Sequence, residues 1–405
     1  MTAAEPSGNL DLIHFMKRYW EIDATRGLML VLMTITHVPS LLTDPVGQPF
    51  GFVSAAEGFV LLSAFVSGLV YSRIGYTRGV KAMREAFWRR ALKIYLIQAL
   101  LLIFLFTVIT MVGLKTGQPA MHELLKYYLA HPHEGLLYSL LLVYQPALLD
   151  ILPLYILFML LSPWVLVAAF RFGWGRVMAV SALLWLLAQF NMTPWLYEHV
   201  VAILGVPVPY NETGSFDTFA WQFLWFAGLW LGASRSAPNA QPLRFPPWLL
   251  IASVLVTLYC LYWRHYGAGG QAPFGDDMDM NTLLFDKWRL APLRLVNLAA
   301  ICIVSIRFGP EILARLPRPR ALEAMGSASL SVFCAHLVVV LIVLATFGGD
   351  HRVRPWWGDV LLLAAVFALL YGVARAVAWW EARTPRPPRD GGRREPVPAR
   401  RVLPQ

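Results

Sequence analysis

Ten apolar stretches run along the chain, at about residues 22–42, 52–72, 91–114, 151–170, 176–191, 216–234, 247–263, 291–307, 328–347 and 358–380. Most approach the ~20 residues that a helix needs to cross the hydrocarbon core of a bilayer. In lipid every backbone N–H and C=O must find its partner within the protein, so segments of this length fold as helices. The expected fold is therefore all-α: a polytopic membrane bundle of about ten transmembrane helices. Composition agrees, since 58% of the 405 residues are hydrophobic and only 14% are charged, too little charge to clothe a soluble surface. The stretch 136–149, LLYSLLLVYQPALL, is short for a crossing and reads as a re-entrant or interfacial helix.

The formal net charge of +10 is distributed by side. After the second stretch come Arg73, Arg78, Lys81, Arg84, Arg89 and Arg90, and after the eighth Arg315, Arg318 and Arg320. Segments 43–51 and 192–215 carry no Lys or Arg, and 264–290 offsets its three with Asp276, Asp277, Asp279 and Asp286. Arg352 and Arg354 are the exception. Basic residues mark cytoplasmic loops, so both termini are expected in the cytoplasm, and the charge calls for a lipid bilayer and no nucleic acid. The N-terminal segment has no short apolar core with a small-residue cleavage site, so no removable leader is expected. The organisation follows: a cytoplasmic segment 1–20, a transmembrane domain 21–380, and a disordered basic cytoplasmic tail 381–405, rich in Pro and Arg.

The first stretch contains RGLMLVLMTITH, residues 26–37. Eleven steps of 100° leave Arg26 and His37 about 20° apart on one helix face, and roughly 16 Å apart along the axis. Arg26 stands near the cytoplasmic edge, either as a snorkelling cation paired with Asp23 or as part of a site. His37 lies deeper, either as a neutral imidazole bonded to a carbonyl near Pro39 or as a functional group. An ionisable side chain inside a span normally faces a cavity, and an imidazole there can take a proton from a hydroxyl as a general base.

Further candidates each have two readings. Glu57 either orients His37, binds the acceptor, or complements the start of its own helix. Ser63, with Ser67 and Gly68, lies at spacing suited to close helix packing. Arg89, Arg90 and Lys93 either set topology or grip phosphate oxygens. His336, in SLSVFCAH, is a second intramembrane histidine, structural or functional. His122, His131 and His133 beside Glu123 and Glu134 read as a solvated segment rather than a metal site, and Cys260, Cys302 and Cys334 as packing residues. The chain has no Gly-rich phosphate loop ending in Lys-Ser/Thr, no G-x-S-x-G, no H-E-x-x-H and no paired C-x-x-C, which argues against an ATP-driven pump, a serine hydrolase and a zinc protease.

EIDATRGLMLVLMTITHVPSLL, FGFVSAAEGFVLLSAFVSGLVYSR and FWRRALKIYLIQALLL, then LPLYILFMLLSPW and ASLSVFCAH, resemble the OpgC family, membrane proteins that succinylate osmoregulated periplasmic glucans. That family is similar to the wider type 3 transmembrane acyltransferases, whose first helix has an arginine, ten residues and a histidine. Ala64, where the wider group usually has glycine, and Lys93, where arginine is common, depart from the pattern. The resemblance implies an inner-membrane acyltransferase with acyl coenzyme A, in particular succinyl coenzyme A, as donor substrate, no permanently bound cofactor, and a periplasmic glucan as acceptor. The catalytic candidates are then His37, Glu57 and Asp23, and the donor-binding candidates Arg26, Arg89, Arg90 and Lys93. A secondary transporter or flippase for a carbohydrate or lipid-linked sugar is the competing class, but no paired inverted repeat is evident; a noncatalytic membrane assembly partner is the third.

Overall fold

The computed structural model describes residues 19–236, 243–267, 274, 278–350, 352 and 354–383, and all regular structure among them is helical. The segment 1–18, the basic tail from 384 onward, and Asp276 and Asp277 lie outside the described residues. The helices that place the site are α1 (Trp20–His37), α2 (Ala55–Phe104), α3 (Ile151–Phe172), α4 (Trp174–Gln189), α5 (Met192–Leu204), α6 (Thr218–Ser236), α7 (Pro247–Tyr266), α8 (Pro292–Leu313), α9 (Arg320–Ser327), α10 (Ser329–Phe347) and α11 (Trp356–Arg383).

Among the described residues six helical stretches are long and apolar enough to cross a membrane: Ala55–Thr116, α3, α7, α8, α10 and α11. Every one of the ten expected ranges falls on a helix, yet ten crossings are more than this criterion supports. α1 carries Glu21, Asp23 and Arg26 within 18 residues, too many charges for a plain lipid-facing span. α6 is lowered by Gln222 and three tryptophans, and it packs inside the bundle with Trp221 and Trp225 wholly buried.

The segment 73–90, expected as a loop, is helical. α2 is interrupted at Gly79, whose φ of 86° and ψ of 167° suit a residue without Cβ. In an unbroken helix Tyr71 and Phe87 would stand about 24 Å apart, but their ring centroids are 4.1 Å apart. The two limbs therefore fold back as an antiparallel hairpin, and the 62-residue stretch Ala55–Thr116 is two helices side by side. The cluster of basic residues sits on the closed end of this hairpin rather than on an irregular connection.

Small residues set the tightest contacts. Gly68 of α2 faces the Leu229 carbonyl of α6, while Gly228 faces Ala64 and Gly232 the Phe65 carbonyl. Ser63, Ser67 and Gly68 thus lie where close packing was expected, and Gly228 makes room for Ala64. α1 and α9 cross backbone to backbone: a Cβ on Gly326 would stand 1.7 Å from the Asp23 carbonyl oxygen, and one on Gly27 2.0 Å from that of Leu322.

Two further expectations change. The segment 136–149 is neither a crossing nor a single helix: the helix Pro132–Leu140 ends and irregular backbone runs to Asp150, with Leu142 and Leu148 at positive φ. The segment 192–215 was expected as a loop but begins with α5, which is bent by 82° from α4 at Asn191, another residue in the left-handed region.

Candidate active site

α1 and α10 meet at two points. A terminal guanidinium nitrogen of Arg26 donates to Ser329 Oγ, and Nδ1 of His37 lies 3.1 Å from Nε2 of His336. Both partners advance along both helices, so α1 and α10 run parallel. Arg26 and His37 do share one face of α1, and that face is turned to α10.

Arg26 and Ser329 belong to the wall of a small cavity, part of it open to solvent, lined also by Arg90, Tyr155, Phe59 and Phe333. Two guanidiniums 64 residues apart thus converge on one space. Arg90 faces inward because it lies on the same stripe as the buried Phe87, Ala91 and Ile94. It stands eleven residues past Gly79, about 16 Å into the second limb. Arg89 and Lys93, one turn apart, are on the opposite, exposed face. Arg89 meets Glu85 at 3.8 Å, so only Arg90 of that trio reaches the cavity. Ser63 is buried and does not line the cavity.

The cavity does not reach His37. Between them stands Phe333, whose ring lies 5.8 Å from Phe59 and 5.6 Å from His336. His336 is wholly buried and His37 half-buried. Their rings are near parallel, with centroids 5.2 Å apart. The Phe333 carbonyl bears on the His336 ring, at a geometry short of a full hydrogen bond to Nδ1. With the proton of His37 on Nδ1 and Nε2 of His336 accepting it, Nε2 of His37 would be left as the basic nitrogen.

Glu57 does not orient His37. It closes a capping box, accepting from the Ser54 N–H at 2.8 Å and from the Ser54 hydroxyl, and its other oxygen holds Arg294 at 2.6 and 2.9 Å. Glu57 and Arg294 are 1% and 2% exposed in their side chains, a buried ion pair between α2 and α8. Asp23 is buried at the α1–α9 crossing, about 21 Å from His37 along α1, and so is remote from the imidazole pair.

Two residues escaped the sequence reading. Arg294 lies within an apolar helix, where a lone charge is itself a signal. Lys287 follows the helix Met278–Phe285 and lies within electrostatic reach of His37, Glu57, Arg294 and Asp150. Burial holds its ammonium below the usual lysine range. Asp150 accepts from the Ser215 N–H at 3.0 Å, and burial pushes its carboxyl above the usual carboxylate range. Among the described residues no group of three or more His, Cys, Asp or Glu is placed to hold a metal ion.

The arrangement thus joins a guanidinium-lined cavity, an aromatic partition and a paired imidazole. No curated protein and no solved structure matches the chain. The profile of the family described as OpgC protein matches residues 18–382, covering α1 to α11 and every residue of the site. The chain belongs to the OpgC family, a family of glucan-modifying acyltransferases.

Proposed function

We propose that this protein is an inner-membrane O-acyltransferase that moves an acyl group, succinyl in the first instance, from cytoplasmic acyl coenzyme A to a hydroxyl of a periplasmic glucan. The observation that carries the reading is the convergence of Arg26 and Arg90 on one cavity whose wall, Phe333, also touches His336. Guanidiniums suit the phosphates of coenzyme A, and the acyl end, narrower than the nucleotide, passes toward His37 as the Phe59–Phe333 pair parts.

Nε2 of His37 takes the proton of the acceptor hydroxyl as its oxygen attacks the thioester carbonyl carbon. The tetrahedral intermediate then expels coenzyme A thiolate, the C–S bond breaks, and the imidazolium returns its proton to sulfur. Ester and free thiol are the products, with atoms and charge balanced. His336 holds the imidazole in the required tautomer.

Purified protein incubated with labelled succinyl coenzyme A and glucan should give labelled glucan. His37→Ala should lower the rate by about 100 to 10,000-fold, the usual range for losing a general base, with membrane insertion unchanged. Full activity in that variant would remove His37 from the mechanism. Glucan movement across a vesicle without covalent labelling would instead identify a transporter.

A further inference from the structure

His37 is the last residue of α1, and the chain leaves the helix at Val38 in extended backbone. The last carbonyls of a helix have no partner within it, and helix ends fray. An imidazole that must keep its Nδ1 3.1 Å from Nε2 of His336 therefore needs its helix end fixed from outside. Part of the fixing is local. The Thr43 hydroxyl accepts from the Ser40 N–H at 3.1 Å and is placed to donate to the carbonyls of Val38 at 3.1 Å and Ile35 at 3.3 Å. These bonds fold segment 38–43 onto itself, but they do not tie it to the rest of the bundle.

The tie comes from 315 and 318 residues along the chain. Arg354 donates from a terminal guanidinium nitrogen to the Pro39 carbonyl and from Nε to one oxygen of Asp359 at 3.0 Å. The other Asp359 oxygen accepts from the Leu41 N–H at 3.0 Å. Guanidinium and carboxylate thus close on the backbone to either side of Ser40. Their side chains are only 14% and 4% exposed. A buried ion pair is weak evidence for stability, since apolar replacements often serve as well. What an apolar pair could not supply is a donor for the Pro39 carbonyl and an acceptor for the Leu41 N–H. One turn beyond Asp359, Leu363 of α11 joins Val340 and Val343 of α10 around the wholly buried Val38. The start of α11 therefore grips both the backbone and the first side chain after His37. It also gives Arg354, which breaks the alternation of basic segments, a structural reason to stand where it does.

We propose that Arg354 and Asp359 are positioning residues for acyl transfer, a clasp that holds the exit of α1 so that His37 keeps its imidazole against His336. This inference rests on the acyl-transfer reading above. The hydrogen bonds of the clasp go to backbone two and four residues past His37, so its action on the imidazole runs through the main chain. A site group must be held to within about 0.5 Å of its productive place, and a released helix end moves further than that.

The test measures succinyl transfer from coenzyme A to glucan by the full-length protein in detergent, with melting temperatures to show which variants are folded. Arg354→Ala and Asp359→Ala should each lower kcat by about tenfold or more, toward the ~100-fold that a misplaced group can cost, while the donor KM changes by less than about twofold. Asp359→Asn, which keeps an acceptor for the Leu41 N–H, and Arg354→Lys, which keeps a donor, should each lose less, and they carry the same comparison should the alanine variants not fold. Because the clasp acts through the imidazole pair, Asp359→Ala should cost little more in a His336→Ala background, whereas a general loosening of the fold would multiply the two losses. Unchanged kcat in every folded clasp variant, or fully multiplied losses in the double variant, overturns the proposal and leaves the acyl-transfer reading standing. A wild type that transfers no acyl group, or a His37→Ala variant that transfers at full rate, sinks that parent reading instead.

Discussion

His37 and His336 meet nitrogen to nitrogen at 3.1 Å across 299 residues of sequence, one at the end of α1 and the other two turns into α10. Among the described residues no carboxylate makes a hydrogen bond or ion pair with either imidazole. The imidazole that would act as base is thus oriented by a second, wholly buried imidazole.

Removing that orientation should cost turnover rather than donor affinity. His336→Ala should lower kcat roughly 100-fold, the scale of a misplaced catalytic group, with little change in the KM for acyl coenzyme A. His336→Gln, whose side-chain carbonyl can still accept from His37 Nδ1–H, should recover much of it. A pH–rate profile checks the assignment: it should move in the Ala variant and stay near the wild type in the Gln variant.

The basic residues of α2 divide by face. Arg90→Ala should raise the donor KM about tenfold or more, because it removes charge-assisted contacts inside the cavity. Arg89→Ala and Lys93→Ala, both on the exposed face, should leave it within twofold. Initial rates across a donor titration separate the three.

The Glu57–Arg294 pair is a thermodynamic cycle in waiting. Glu57→Leu or Arg294→Met alone leaves a buried charge or its donors uncompensated and should destabilise by about 3–5 kcal/mol. The double variant should regain most of that. Melting temperatures of detergent-purified protein report all four corners.

Gly326→Ala should be disproportionately harmful, since its new carbon would stand 1.7 Å from a backbone oxygen that has no rotamer to escape into. A loss of about 1–3 kcal/mol or more is expected. Gly372→Ala, with nothing within 4 Å of the added carbon, is the control and should be silent in the same melting assay.

Periodicity made much of this legible. The shared face of Arg26 and His37 follows from spacing alone, and each apolar range lies on a helix. Periodicity is silent about which helix that face meets, so the Ser329 and His336 contacts needed the fold. Positive charge near 73–90 looked like a loop because loop chemistry and helix chemistry overlap for Arg and Lys, and Gly79 is one glycine among 29. Glu57 was visible as a helix-start acid, but its partner Arg294 lies 237 residues on. Lys287 carried no local signal, since Glu57 and Asp150, whose charges act on it, are distant in sequence.

The backbone crossing of α1 on α9 has a mechanical consequence. With Gly27 and Gly326 already in contact, α1 and α9 have no side-chain cushion to compress, and only Ala328 separates α9 from α10, which ties Arg26, His37, Ser329 and His336 to one braced unit. On the proposed reading, admission of a donor as broad as a nucleotide would fall to the facing jaw, the second limb of α2 with Arg90. That limb hinges at Gly79 and carries a widened π turn at Leu105–Ile109, so the pliable side and the unyielding side of the mouth are set by where glycines touch.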